Sequence, residues 1–365
     1  MIRSPSGSIG FDTMQHESGP RVHGGSRPSD AALRRHPFAR ALSAALRDRF
    51  ELKPGTPLTV GVSGGGDSVA LLLGLALLQR GRDGGYPCTA VHVHHHLRPD
   101  ADADADFVAA LCKRLDVDHR RIEVRPADEP GNTAAAARQL RYAALRDTAL
   151  SNGSRHVVVA HHADDQLETI LMALGRGSGI RGLRGMAWRR RIRTDEPDAC
   201  WLLRPLLGVR KATCLDFCTV QDEIWREDPT NRDPNTRRGR LRRDVLPHLE
   251  SMWPDVALRA TSASESLHAV HRLAARSVHG RVGPASRTVW PRSVLRELEP
   301  ASVMWVLRRA AVHLAPEAAD RLPRRILEPA ARLVRSDDPQ PRHLDWACGI
   351  RVRIDRESVR VYRDA

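Results

Sequence analysis

The feature that most constrains the fold is a fourfold alternation of short β-rich runs with helical stretches between Leu58 and Leu174. Leu58–Val62 (LTVGV) reads as a strand and Ser68–Arg80 as a helix, Cys88–His95 as a strand and Asp102–Leu115 as a helix. Arg120–Val124 and Thr133–Leu150 repeat the pair, and His156–His162 with Asp164–Leu174 repeats it again. Strands and helices of these lengths join by right-handed βαβ crossovers, which predicts an α/β fold with a doubly wound, mainly parallel sheet of the Rossmann-like kind. Ala31–Phe50 has helical spacing ahead of the first strand. Past Gly185 the pattern changes to a hairpin over Trp188–Leu207 and a helix over Val209–Gln221. An arginine-dense segment, PTNRDPNTRRGRLRRDVLP, follows. From about Ser251 the chain is Ala/Arg/Leu-rich and reads as mainly helical, ending in WACGIRVRIDRESVRVYR, whose alternation predicts a small hairpin.

The first strand runs directly into SGGGDS, Ser63–Ser68, which opens the next helix. Unpaired N–H groups and the helix dipole favour an anion at such a start, and glycines let bare backbone approach it. The hydroxyls of Ser63 and Ser68 add donors. A Walker loop would need a lysine that the segment lacks, and Asp67 stands where the third glycine of a dinucleotide fingerprint would be. The fourth strand runs into AHHADDQLETILMALGRGSGIRGLRGM, Ala160–Met186. Here Asp164, Asp165 and Glu168 crowd one helix start beside His161 and His162, a set suited to metal coordination and acid/base work. The bland reading of Asp164, an N-cap, is compatible with that. In an open parallel sheet both loops fall at the strands' carboxyl ends, where ligands sit.

Composition narrows the partner. The formal net charge is +14 and the isoelectric point about 10.6, which points to a polyanion such as nucleic acid. Of the 58 basic residues only Lys53, Lys113 and Lys211 are lysines. Hydrophobic residues make up 41%, enough for a sizeable core. No run reaches the ~20 apolar residues of a membrane span, and residues 1–30 lack the apolar segment of a secretory signal, reading as a disordered leader. A cytoplasmic location is therefore expected. Six cysteines without a CxxC pair read as buried thiols. His92, His94 and His96 alternate onto one strand face; packing at the crevice is the reading preferred over a metal site.

SGGGDS fits the SGGxDS pyrophosphate-binding loop of the N-type ATP pyrophosphatases, the PP-loop ATPases. Taken in order from about Leu58 to Pro247, SGGGDS, HHADDQLET, RGSGIRGLRGM, LLRPLL (Leu202–Leu207) and EDPTN (Glu227–Asn231) resemble the tRNA(Ile)-lysidine synthetases. The resemblance implies a ligase that adenylates C2 of the wobble cytidine of tRNA(Ile) with a CAU anticodon, releasing pyrophosphate. Free L-lysine then displaces AMP to form lysidine. It implies ATP contacts from Ser63, Gly64, Gly65, Gly66, Asp67, Ser68, His92 and His161, and Mg²⁺ held by Asp67 and Asp164. Asp67, Asp164, Asp165 and Glu168 become the candidate catalytic set, and Asp164, Asp165, Glu168 and Glu227 the candidates for receiving the lysine ammonium. Arg138, Arg176, Arg204, Arg237, Arg240 and Arg242 are expected on the tRNA, with a homodimer compatible and no membrane partner. The expected division is a leader 1–30, a catalytic domain 31–210, an Arg-rich connection 211–250 and a helical C-terminal domain 251–365. Its C-terminal third is short for the longer family members' tRNA-binding extensions.

The departures are local. HVHHHLR stands where HVNHGLR is common, so His94 and His96 replace Asn and Gly; Ala134 replaces a frequent glutamate, and Gly239 an asparagine. A tRNA thiolase with the same ATP loop would ordinarily need paired cysteines, and an amidotransferase-type synthetase a glutaminase module. A non-enzymatic RNA-binding module would leave SGGGDS and HHADDQLET without a task.

Overall fold

β1 (Leu58–Gly61) is buried at all four residues, as an unalternated apolar run must be when it lies at the centre of a parallel sheet covered on both faces. It pairs in parallel with β2 (Cys88–His94) on one side and β4 (His156–Val158) on the other. β3 (Asp118–Glu123) lies outside β2, β6 (Cys200–Leu203) outside β4, and β5 (Arg189–Ile192) runs antiparallel along the far edge. The order is therefore β3-β2-β1-β4-β6-β5. The chain steps outward from β1 to β3, then returns to the opposite side of β1, so the topological switch point lies between β1 and β4. Their carboxyl ends carry SGGGDS and HHADDQLET. The computed structural model describes residues 28–81, 84–96, 101–128, 133–192, 200–227, 235–284 and 286–364; most of the expected leader and most of EDPTN lie outside them.

The helices begin with α1 (Asp30–Arg35) and α2 (Pro37–Ala44). Expected as one helix, they are two because Pro37 offers no N–H to continue α1 and instead occupies the first turn of α2. α3 (Gly66–Gln79), α4 (Ala101–Leu115) and α5 (Thr133–Ser151) are the crossovers, followed by α6 (Ala163–Gly175), the single turn α7 (Ile180–Leu183) and α8 (Lys211–Val220). Nearly every residue of α3 is buried, because it lies between the sheet and α2 with α8. Phe38 stacks on Phe217 at 4.5 Å between ring centroids, and such fully buried side chains contribute about 1.5–3 kcal/mol each. β4 stops at Val158, short of His162, which releases Val159–His162 to the switch point.

Beyond the sheet come α9 (Arg237–Arg240), α10 (Leu246–Met252) and the long α11 (Val256–Val282). The first turns of α11 pack on α6 through Ala257, Thr261 and Ser264, and its last turn carries Val278 and Val282 into a second core. That core lies between α12 (Arg292–Arg296), α13 (Pro300–Leu314), α14 (Arg324–Arg335) and a four-stranded antiparallel sheet. The sheet contains the expected terminal hairpin and extends it. β9 (Ile350–Ile354) and β10 (Ser358–Arg363) are joined by β8 (Arg342–Asp345) and β7 (Val289–Pro291), in the order β7-β10-β9-β8. RHLD and VWP are too short to show alternation and pair only because tertiary structure brings them to the hairpin edges. Among the described residues no helix is long and apolar enough to cross a membrane.

His268 of α11 supplies a pH dependence. Burial, then Arg184 and Arg272, push its pKa down to about 4, whereas an unfolded histidine titrates near ~6.5. The unfolded chain thus takes up this proton first as pH falls, so stability declines from about pH 6.5 towards 4. Thermal melts across that window should show a shallower decline for His268→Gln than for the wild-type chain.

Candidate active site

The SGGGDS loop is stitched by its own serines. Ser68 Oγ donates to the Gly65 carbonyl at 2.8 Å and accepts the Ser63 N–H at 3.2 Å, and the two hydroxyls lie 3.2 Å apart. Gly64 has φ +89°, a conformation that a side chain would strain. Gly65 is the N-cap of α3 in extended geometry with no side chain capping the helix. The helix therefore starts with donors aimed at the crevice, the arrangement that binds a phosphate. Gly66 has a different reason: a Cβ there would stand 2.3 Å from Leu215 of α8 and 3.3 Å from the Trp225 ring. Gly66→Ala should destabilise the chain by about 1–3 kcal/mol through overpacking, read as a lower denaturant midpoint.

Asp67 faces His162 across the switch point, with its Oδ2 3.4 Å from the imidazole Nε2. Its Oδ1 is buried and has no hydrogen-bond partner. His162, 2% exposed, is the N-cap of α6. Its Nδ1 accepts the Asp165 N–H and Asp165 Oδ2 accepts the His162 N–H, both at 3.2 Å. A capping box with histidine at the cap is not one that sequence patterns advertise. Burial works to lower the His162 pKa, but Asp165, Asp67 and Asp164 outweigh it and the pKa is raised. Protonating Nδ1 would cost the cap, so the neutral ring keeps its proton on Nε2, towards Asp67.

The three carboxylates of HHADDQLET face different partners. Asp164 turns to α8, accepting the Lys211 N–H at 2.8 Å and the Arg210 guanidinium at 3.1 Å. Burial raises its pKa and these two donors more than offset that, leaving it lowered. Its oxygens clasp α8, whereas among the described residues Asp67 is the carboxylate with a buried oxygen that has no hydrogen-bond partner, so Asp67 offers the open oxygen of the expected Mg²⁺ pair. Glu168 is 2% exposed and accepts from Arg238 at 2.7 Å and Arg242 at 2.6 Å. Asp165 Oδ1 lies 3.3 Å from Arg242 and 4.0 Å from Arg238. Gln166 latches the RGSGIRGLRGM turn and α11 together, bonding Met186 through both its amide atoms and Ser264 at 2.7 Å.

A cavity of about 510 Å³ lies over the start of α3, lined by Gly65, Gly66 and Asp67, by Lys211 and Leu215 of α8, by Trp225, Arg226 and Glu227, and by Gly239, Arg242 and Arg243. A second, of about 320 Å³, adjoins it and is lined by His162, Asp164, Glu168, Arg210 and Glu250, sharing Lys211 and Arg242. Arg226 fixes the wall, its N–H bonded to the Gly64 carbonyl at 3.0 Å and its guanidinium to Asp104 at 2.9 Å.

Several expected contacts are placed otherwise. Arg204 is 2% exposed, donating to His161 Nδ1 at 3.2 Å and to the Ala187 carbonyl, and burial pushes its pKa down to about 10. It is an internal prop, out of reach of a tRNA backbone. His161 turns inward to it, and burial, then Arg204, hold its pKa well below the ordinary range. His92 is buried and donates to the Val62 carbonyl at 3.0 Å, supporting the loop from beneath. Arg242 points into the carboxylate cluster. Arg138, Arg176, Arg237 and Arg240 are exposed. Arg238, not expected at the site, reaches Glu168, whereas its neighbours Arg237 and Arg240 face solvent; only the helical phase of α9 distinguishes them.

A Rossmann-like sheet with a glycine-rich anion loop and an acidic helix start at its switch point defines a nucleotide-handling α/β protein. The PP-loop domain family matches residues 35–249, and the chain belongs to that family. It is similar to tRNA(Ile)-lysidine synthases from Bacillus cereus (40% identity over 224 residues, 60% of this chain and 46% of that one) and Bradyrhizobium diazoefficiens (41% over 214 residues, 59% and 58%). The synthase of Thermus thermophilus is 35% identical over 299 residues, 80% of this chain and 53% of that one. The chain thus spans about half the length of the curated relatives it matches. Among solved structures, a U34-tRNA thiolase from Methanococcus maripaludis shares the fold at TM-score 0.52 and 16% identity, covering 63% of this chain and 77% of that one.

Proposed function

We propose that the chain joins lysine to C2 of the wobble cytidine of tRNA(Ile) with a CAU anticodon, consuming ATP. The observation that supports this reading is the facing pair at the switch point: an uncapped helix start with Asp67, and an acidic helix start whose carboxylates are met by Arg238 and Arg242, on two adjoining cavities that share Lys211 and Arg242. In the first step the C2 carbonyl oxygen attacks the α-phosphorus of ATP and pyrophosphate departs. Backbone donors of Gly64–Asp67 and the guanidinium of Arg242 receive its charge. Mg²⁺ held at Asp67 Oδ1 would offset further charge on the polyphosphate. In the second step the lysine amine attacks C2, AMP leaves with the former carbonyl oxygen, and the nitrogen gives up a proton.

Asp165 is the best-placed acceptor for that proton. Glu168 is held by two arginines and Asp164 by α8, while Asp165 Oδ1 takes one longer bond, from Arg242 at 3.3 Å. The neighbouring cavity with Glu250 and Asp164 at its wall suits a lysine side chain. Exposed Arg138, Arg176, Arg237 and Arg240 suit the tRNA backbone, consistent with the +14 charge. Sulfur transfer fits less well, since it needs a thiolate. Burial pushes the Cys88 and Cys218 thiols up to about 12 and those of Cys112 and Cys200 up to about 11.

Pyrophosphate release from ATP tests the first step. It should require a transcript bearing the CAU anticodon loop and need no sulfur donor; release that ignores the tRNA would contradict the proposal.

A further inference from the structure

HVHHH at the end of β2 places three histidines at every second position, and the structure separates their tasks. His92 serves the loop. His94 is 2% exposed and stands directly opposite Glu123 in the parallel register of β2 and β3. Its Nδ1 lies 3.2 Å from Glu123 Oε2 and its Nε2 3.6 Å from Asp102 Oδ1. Neither nitrogen makes a hydrogen bond, despite those separations. His96 leaves the strand with φ +53°, which folds its ring back to 4.2 Å from that of His94 and brings Nε2 onto the same Glu123 Oε2.

We infer that His94, His96 and Glu123 form a binding site for a divalent transition ion of the zinc class. Their ligand atoms lie within 4.8 Å of one another. Zinc bonds of ~2.0–2.1 Å in a tetrahedron put neighbouring ligand atoms about 3.3 Å apart, close to the His94–Glu123 separation, while His96 Nε2 and Glu123 Oε2, now in direct contact, part to admit the ion. Two imidazoles and one carboxylate suit zinc, copper or nickel rather than magnesium or calcium. A buried imidazole with both nitrogens unsatisfied costs about 1–3 kcal/mol, and an ion bound through Nδ1 would recover much of it.

Arg121 positions the carboxylate. It donates to Glu123 Oε1 at 2.5 Å and to Asp102 Oδ1 at 2.6 Å. That orients Glu123 with Oε2 towards the histidines, as an outer partner of a metal ligand does, and it occupies Asp102. The three ligand groups leave a further position of the ion open to water. Its effect is to tie the carboxyl ends of β2 and β3 together at the sheet edge.

Zinc titration of the untagged full-length chain, read by competition with a chromophoric chelator, tests the site. About one tight equivalent is expected, weakened at least 10–100-fold in both His96→Asn and Glu123→Gln, whose exposed side chains leave the core unaltered. Cobalt loaded in place of zinc should give the intense visible bands of a four-coordinate ion, lost in the same variants. Absence of a tight equivalent, or equal uptake by the wild-type chain and both variants, would overturn the inference. Neither result bears on pyrophosphate release.

Discussion

Asp67→Asn is expected to reduce tRNA-dependent pyrophosphate release on the order of 10²–10³-fold, the scale of losing one preorganised electrostatic group at a reacting centre. The expectation follows from what Asp67 lacks. Its Oδ1 is buried without a partner, and among the described residues its ion pair is with His162 at 3.4 Å, so the fold draws little from it. Melting temperature should therefore stay close to the wild-type value while turnover collapses. Release within a few-fold of wild type would mean that the pyrophosphate is held by backbone alone.

Glu168→Ala should have the opposite signature, with a large loss of stability. Glu168 is buried beneath Arg238 and Arg242, and its removal leaves two guanidiniums without their carboxylate. Breaking such a pair costs about 3 kcal/mol, the low end of the buried range because both arginines reach water. Adding Arg242→Ala should cost less than the sum of the two single changes, since the orphaned charge is then gone. Chemical denaturation of the four proteins measures that coupling. Strict additivity would show that Glu168 and Arg242 do not depend on one another.

The α/β layout was legible because its signals are local. Apolar strands ending in glycine or histidine, each followed by a helix of three or more turns, leave few topologies once right-handed crossovers are required. SGGGDS was legible for the same reason, its spacing being the geometry of one loop. What escaped was long-range. Nothing near Arg204 announces that it is buried against His161, and nothing in RRGRLRR separates inward Arg238 and Arg242 from outward Arg237 and Arg240. The clasp of Asp164 on α8, 47 residues away, is equally long-range. The edge strands β7 and β8 were invisible in sequence because neighbours, not propensity, make them strands. The contact of His94 and His96 with Glu123 is long-range too, since only the register of β2 against β3 brings that carboxylate to them.

Transfer of labelled lysine to a transcribed tRNA(Ile) with the CAU anticodon decides whether the activated base meets lysine. Lysine is expected to be incorporated only with ATP, in equal amount to the pyrophosphate released, and incorporation should be lost in Asp67→Asn. Pyrophosphate released without incorporated lysine, from folded protein supplied with Mg²⁺, would contradict the proposal and assign the activated base to a different nucleophile.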